Sequence, residues 1–190
     1  MKKIILKWEG PIDFDRIKNK EYTDQFTQLS KGGIYLHCFK IPNQQIFAIN
    51  YVGKHEYSIL SRNIEHYNKS KMGKNSIFCL KEDSFLNIIY NQNDFKNFEN
   101  YKNDISENDI NLKLFYVNKV AKDIYEFETL LPLEGALLYH LYSKTKTRKY
   151  LTTNVSNYDL RNTKIYNVKS KINSKNKILG LDDEIITYVD

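Results

Sequence analysis

Cysteine is scarce in this chain, with only Cys38 and Cys79 among 190 residues. Both stand in apolar runs, "LHCF" and "IFCL", so a disulfide framework is excluded. Both are expected to be reduced core thiols of an intracellular protein, with the cytoplasm as default location. Long hydrophobic runs are also missing. "MKKIILKWEG" breaks at Trp8, Glu9 and Gly10 after a short apolar stretch, so it reads neither as a signal peptide nor as a membrane span. His37, His55 and His140 show no paired metal-ligand spacing and read as core or surface residues. There is no internal repeat, coiled coil or linker.

What remains is aromatic and basic. Hydrophobic residues make up 41% and aromatics 14%, with 15 tyrosines, a globular composition whose rings carry polar handles. The length suits one domain with a real core. The formal net charge is +6, which favours anionic partners, nucleic acid first among them. A lysine-rich solvated surface accounts for the same charge.

Hydrophobic periodicity predicts an α+β domain with a small, mainly antiparallel sheet flanked by helices. "IILKW" (Ile4 to Trp8) is a short strand stopped by Gly10-Pro11, and "DFDRIKNKEYTDQFTQLS" a polar helix. "GIYLHCF" and "IFAINYVG" are strands joined by a turn at Pro42 and Asn43. A hairpin centred on Asn43 sets Phe39 opposite Phe47, His37 opposite Ile49 and Tyr35 opposite Tyr51, on one face. A helix follows, with Tyr57, Leu60, Ile64 and Tyr67 on one stripe and Arg62 and His66 on another. "SIFCL" and "LKLFYVNK" are further strands, the latter with Leu112, Leu114 and Tyr116 on one side. Val120, Ile124, Phe127 and Leu131 have helical spacing. Pro132 opens a last helix with Glu134 on the face of Leu137, Leu138 and Leu141. The final stretch offers pieces for edge strands.

"GIY" at Gly33-Ile34-Tyr35 and "YVG" at Tyr51-Val52-Gly53 resemble the two half-motifs of the GIY-YIG endonuclease family. An arginine and a histidine four residues apart follow (Arg62, His66), then a glutamate on a later helix (Glu134) and an asparagine (Asn154). The ordered set is far more specific than any part of it. The gap between the half-motifs is longer than usual, and the distance from His66 to Glu134 implies an insertion. The resemblance implies one nuclease domain over 1–190, with an N-terminal extension 1–31, an insertion at about 70–111 and a C-terminal extension 155–190. With no appended DNA-binding module, it looks like the stand-alone and restriction-type members, which points to restriction or phage defence.

The implied activity is divalent-metal-dependent hydrolysis of DNA, with double-stranded DNA as partner and one Mg²⁺ (or Mn²⁺) per site. In the implied roles Tyr35 is general base, assisted by Lys54 or Arg62, because a phenol of pKa about 10 needs a nearby cation to ionise. Tyr51 and His66 hold or relay protons, and Arg62 offers a permanent forked charge to phosphate. Glu134 binds the metal and Asn154 buttresses the site. A homodimer stays open. Alternatives are a non-catalytic nucleic-acid-binding module on the same fold, or an RNA-directed nuclease. Residue by residue, bland readings exist too. The tyrosines can be ordinary strand aromatics, Arg62 and His66 a solvated helix face, Glu134 a favourable charge at a helix N-terminus, and Asn154 a turn cap.

Overall fold

Runs rich in Ile, Val, Tyr and Phe form the sheet, and two leucine- or isoleucine-bearing segments form helices beside it. The computed structural model describes residues 2–13, 27–41, 44–71, 112–148, 150–151, 164–172, 177–181 and 185–189. Within these, the strands are β1 (Lys2–Asp13), β2 (Gly33–Lys40), β3 (Ile46–His55), β4 (Leu112–Asn118), β5 (Lys164–Ile172), β6 (Lys177–Ile178) and β7 (Ile185–Val189). The helices are α1 (Ile59–Lys71), α2 (Leu131–Tyr142) and the single turn α3 (Thr145–Arg148). One sheet holds all seven strands in the order β6-β3-β2-β4-β1-β5-β7. Its pairs are antiparallel except β1 with β5 and β3 with β6. The α+β reading therefore stands in its coarse form, with a wider sheet than expected. No helix among the described residues is long and apolar enough to cross a membrane.

Several expectations need correction. Gly10-Pro11 does not stop the first strand; β1 runs through it with a register shift between Glu9 and Ile12. Gly10 takes φ +122°, which a residue with Cβ rarely adopts, and Pro11 sits where the interrupted ladder needs no N–H. There β1 exchanges partners, from β5 along Lys2 to Trp8 to β4 along Glu9 to Asp13. The segment from Val120 to Leu131 is not a helix. It makes one 3₁₀ turn at Lys122–Ile124 and then runs irregularly. Ile124 and Phe127 of the expected stripe point inward, joined by Leu130, while Val120 and Leu131 are exposed. Residues 164–189 do more than supply edges: β5 lies inside the sheet between β1 and β7. The expected helix in 14–26, "SIFCL" with Cys79, and the insertion at 72–111 fall outside the described residues.

The β2–β3 register also differs. Tyr35 pairs with Gly53 and His37 with Tyr51, but beyond a bulge Cys38 pairs with Ile49 and Phe39 with Ala48. Asn50 is the extra residue, and its Nδ2 donates to the Tyr150 carbonyl at 3.1 Å. Relative to the expected pairing, the shift is two residues at the motif and one beyond the bulge. An even shift preserves faces and an odd one exchanges them. Tyr35 and Tyr51 thus stay on one side, whereas Phe39 and Phe47 part. Phe47 packs edge-on against Phe115 at 5.4 Å, and Phe39 against Tyr150 at 5.7 Å.

The core lies on the face of Ile34, Leu36, Cys38, Val52, Phe115 and Val117, joined by Ile4, Leu6 and Trp8 of β1. Leu133, Ala136, Leu137, Leu138 and Leu141 of α2 close it, each leucine contributing about 1.5–3 kcal/mol by burial. Cys38 is a buried free thiol there, as expected. The other face, with Tyr35 and His37, receives α1 through the His37–Asn63 hydrogen bond.

Phe115 is fully buried at the centre of this packing. Phe115→Ala is expected to lower stability by about 3–5 kcal/mol through lost transfer energy and the cavity left behind. Urea unfolding should show the midpoint fall with an unchanged slope. A loss under about 1 kcal/mol would mean the core collapses around the gap.

Candidate active site

Alternation along β2 and β3 sets Tyr35, His37 and Tyr51 side by side on one surface. Their ring centroids form a near-equilateral cluster: Tyr35 to His37 5.4 Å, His37 to Tyr51 5.3 Å and Tyr35 to Tyr51 6.1 Å. Gly53 makes room for it. A Cβ there would stand 2.5 Å from Tyr35 Cζ and 2.6 Å from both Tyr35 Oη and Tyr51 Cε1. The glycine of the second half-motif is thus a matter of space, the Tyr35 ring lying across the neighbouring strand.

Helix α1 lies over this cluster. Its buried residues are Ile59, Asn63 and His66, while Leu60 and Ile64 of the expected stripe are only half-buried and Tyr57 is 84% exposed. The reason is the surface beneath, where a polar ring and a phenol call for polar partners. His66, buried, sets its ring edge-on to Tyr51 at 5.8 Å. Arg62 lies close enough to Tyr51 for its charge to act on the phenol, and it donates from Nη1 to Glu65 at 2.7 Å. Burial works against its charge, but Glu65 and the two phenols keep the guanidinium more firmly protonated than usual.

Glu134 enters from the first turn of α2, buried with 8% exposure. It is close enough to both phenols for its charge to act on them. Burial pushes Tyr35 well above the usual phenol range, Tyr51 and Glu134 push further, and Arg62 opposes them. Tyr51 is raised by burial and then Glu134, again against Arg62. Both phenols are therefore protonated at neutral pH. Among the described residues the buried Tyr35 hydroxyl has no partner in hydrogen-bonding geometry, although the Tyr51 hydroxyl is near enough to disturb its ionisation.

Tyr35, Tyr51, Arg62, His66 and Glu134 are thus gathered at one place. Lys54 is not. Alternation puts it on the opposite face from Tyr51, and its ammonium lies 4.0 Å from Glu56. Arg62 is the cation whose charge bears on the phenols. Asn154 lies outside the described residues. His37, read from the sequence as a core or surface residue, and Asn63, which the sequence did not single out, belong to the cluster. The period-two step puts His37 on the face of Tyr35 but does not mark it as functional.

The donor set suits a hard cation: one carboxylate and two phenol oxygens, of which that of Tyr35 has no hydrogen-bond partner among the described residues. Among the described residues no three His, Cys, Asp or Glu side chains converge. The protein would supply one carboxylate, leaving waters and a phosphate to fill the shell, a pattern Mg²⁺ accepts.

The second helix is held in place by Glu56, just beyond β3. Its Oε1 accepts the Leu130 N–H at 2.9 Å, capping α2, while Oε2 accepts from the Lys119 ammonium at the end of β4. Gly32 lets the chain press against this corner, since a Cβ there would stand 2.0 Å from the Glu56 carbonyl oxygen. No protein-family model, curated protein or solved structure matches the chain.

Partial burial would raise the Glu56 pKa, but Lys119, the Leu130 N–H and Lys54 outweigh it, so the carboxyl titrates below its ordinary 4.5. The unfolded chain then binds the proton more readily. Stabilisation is complete above the unfolded value and disappears as pH falls through the folded one. Glu56→Gln is expected to cost about 1 kcal/mol at neutral pH and to match wild type near about pH 3. Urea midpoints at the two pH values check this, and a gap of equal size at both would refute the electrostatic role.

Proposed function

We propose that this chain is a divalent-metal-dependent endonuclease that hydrolyses phosphodiester bonds in DNA. The reading rests on one observation above all: Tyr35, Tyr51, Arg62, His66 and Glu134, drawn from two strands and two helices, come close enough to act on one another in a partly buried cluster on a basic protein. The ordered resemblance to the GIY-YIG nucleases expects that same set. The net charge of +6 favours a polyanion, and a restriction or phage-defence role goes with the stand-alone members that the chain resembles.

In this reading Arg62 supplies the charge that meets the scissile phosphate, oriented by its ion pair with Glu65. Tyr35, whose buried hydroxyl has no hydrogen-bond partner among the described residues, is the group that orients the attacking water and takes its proton. Tyr51 and His66, ring against ring, carry protons away. Glu134 holds the Mg²⁺ or Mn²⁺. When bound, the ion supplies positive charge at the leaving oxygen and cancels the push that Glu134 exerts on the phenols. The resting phenols resist ionisation, so base function belongs to the loaded site.

A second reading has its own support. Arg62 already engages Glu65, and both phenols are held neutral, which suits a site that binds phosphate without cutting it.

Glu134→Gln decides between them. The nuclease reading expects cleavage of supercoiled plasmid in Mg²⁺ to fall by several orders of magnitude with DNA affinity kept or improved. Tyr35→Phe and Arg62→Ala should each lose about 10²–10⁴-fold. A parallel RNA substrate identifies the nucleic acid. Wild-type protein that binds DNA, with affinity falling steeply in salt, yet cuts neither substrate in Mg²⁺ or Mn²⁺ would establish the binding module instead.

A further inference from the structure

His37 and Asn63 take no part in the chemistry just described, yet they are the most fully enclosed polar pair beside it. His37 is 0% and Asn63 1% exposed. His37 Nε2 lies 2.6 Å from Asn63 Oδ1, and Asn63 Nδ2 donates to the Ile59 carbonyl at 2.8 Å. The second bond settles the first. With its amide nitrogen committed to a carbonyl, Asn63 turns its oxygen to the imidazole, so Nε2 carries the proton and donates. Burial, only partly offset by Asn63, lowers the His37 pKa to about 4, so the ring is neutral at physiological pH.

The bond spans two elements. His37 is fixed in β2, directly opposite Tyr51 and in ring contact with both phenols. Asn63 is in α1, next to Arg62 and three residues before His66. A helix on a flat apolar surface can turn about its axis at little cost, and a turn of one residue swings a side chain by about 100°. A buried directional bond forbids that.

We propose that the His37–Asn63 hydrogen bond is the key that fixes the rotation of α1 on the sheet, so that Arg62 and His66 face Tyr51. His37 is then a positioning residue for the phosphodiester cleavage proposed above, and the inference rests on that reading for its kinetic part only. Its structural part stands by itself.

The test replaces both partners in the full-length chain. His37→Leu with Asn63→Leu leaves no polar group stranded, so stability should be nearly kept. His37→Gln retains an N–H that reaches Asn63. The double variant is expected to melt within a few degrees of wild type and to keep KM, while kcat drops about ten- to a hundredfold through misplacement. His37→Gln should recover most of that loss. The Arg62 side-chain N–H resonance is the second readout: it should move in the double variant and return in His37→Gln. A folded double variant with wild-type kcat and an unmoved Arg62 resonance overturns the proposal. Should the double variant not fold, His37→Phe is read by the same measurements and the same criteria. If wild type cuts nothing, the nuclease reading falls, and the Arg62 resonance alone decides the tether.

Discussion

The carboxylate of Glu56 joins the two halves of this site. One half is β3 and α1, adjacent in sequence, which carry Tyr51, Arg62 and His66. The other is α2, which brings Glu134 from about seventy residues further on. Glu56 leaves the end of β3, takes the Lys119 ammonium from β4 and caps α2 at Leu130. The first intrahelical bond of α2 runs from the Glu134 N–H to the Leu130 carbonyl at 3.0 Å. The capped residue is therefore the one from which Glu134 is hung, and a shift at Glu56 moves the Glu134 carboxylate. Leu130 has no side-chain cap of its own, so an orphan N–H that the helix end would present to solvent is satisfied from another element.

The two helices use different physics because they meet different surfaces. Helix α2 is apolar over most of its circumference and is held by area: its leucines enter the Phe115 core. Area is indifferent to small rotations, which is why a directional cap at its start matters. Helix α1 presents a polar inward stripe and gains little from burial, so it depends on the His37–Asn63 bond and the ring contact of His66 with Tyr51. Polar packing is costly to assemble but admits few alternatives. At a site whose purpose is angular placement, that trade is favourable.

Much of this was legible in the sequence, and the illegible parts share a cause. The motif strands, α1, β4 and the helix opened by Pro132 follow from local pattern, as does the common face of Tyr35 and Tyr51. Register did not, because Asn50 bulges to satisfy Tyr150, a residue a hundred positions away. The Val120 to Leu131 segment had helical spacing yet is irregular, its apolar residues being recruited singly by the core. β5 reads as an edge and lies inside because β1 exchanges partners at Gly10-Pro11. Lys54 was assigned on adjacency in sequence, which in a strand means the opposite face. In the site, Arg62, His66 and Glu134 could be anticipated as types in order. His37 and Asn63 could not, since nothing local separates a buried histidine that packs from one that aims a helix.

Under the proposed nuclease reading, the Tyr35 hydroxyl is placed for a ligand rather than for folding. Leaving a buried phenol oxygen without a partner costs roughly 1–3 kcal/mol, a large part of a domain's net stability. A phenylalanine would fill the same space without that penalty. The surroundings tighten the argument, for Glu134 and Tyr51 both disfavour the phenolate and Arg62 alone favours it. The surroundings thus disfavour an ionised Tyr35. Under the proposed nuclease reading, a cation on Glu134 would remove the opposing charge, and a water or phosphate oxygen would complete the bonding of the Tyr35 hydroxyl. Strain and unsatisfied groups that a single ligand relieves are what a site retains for function rather than for folding.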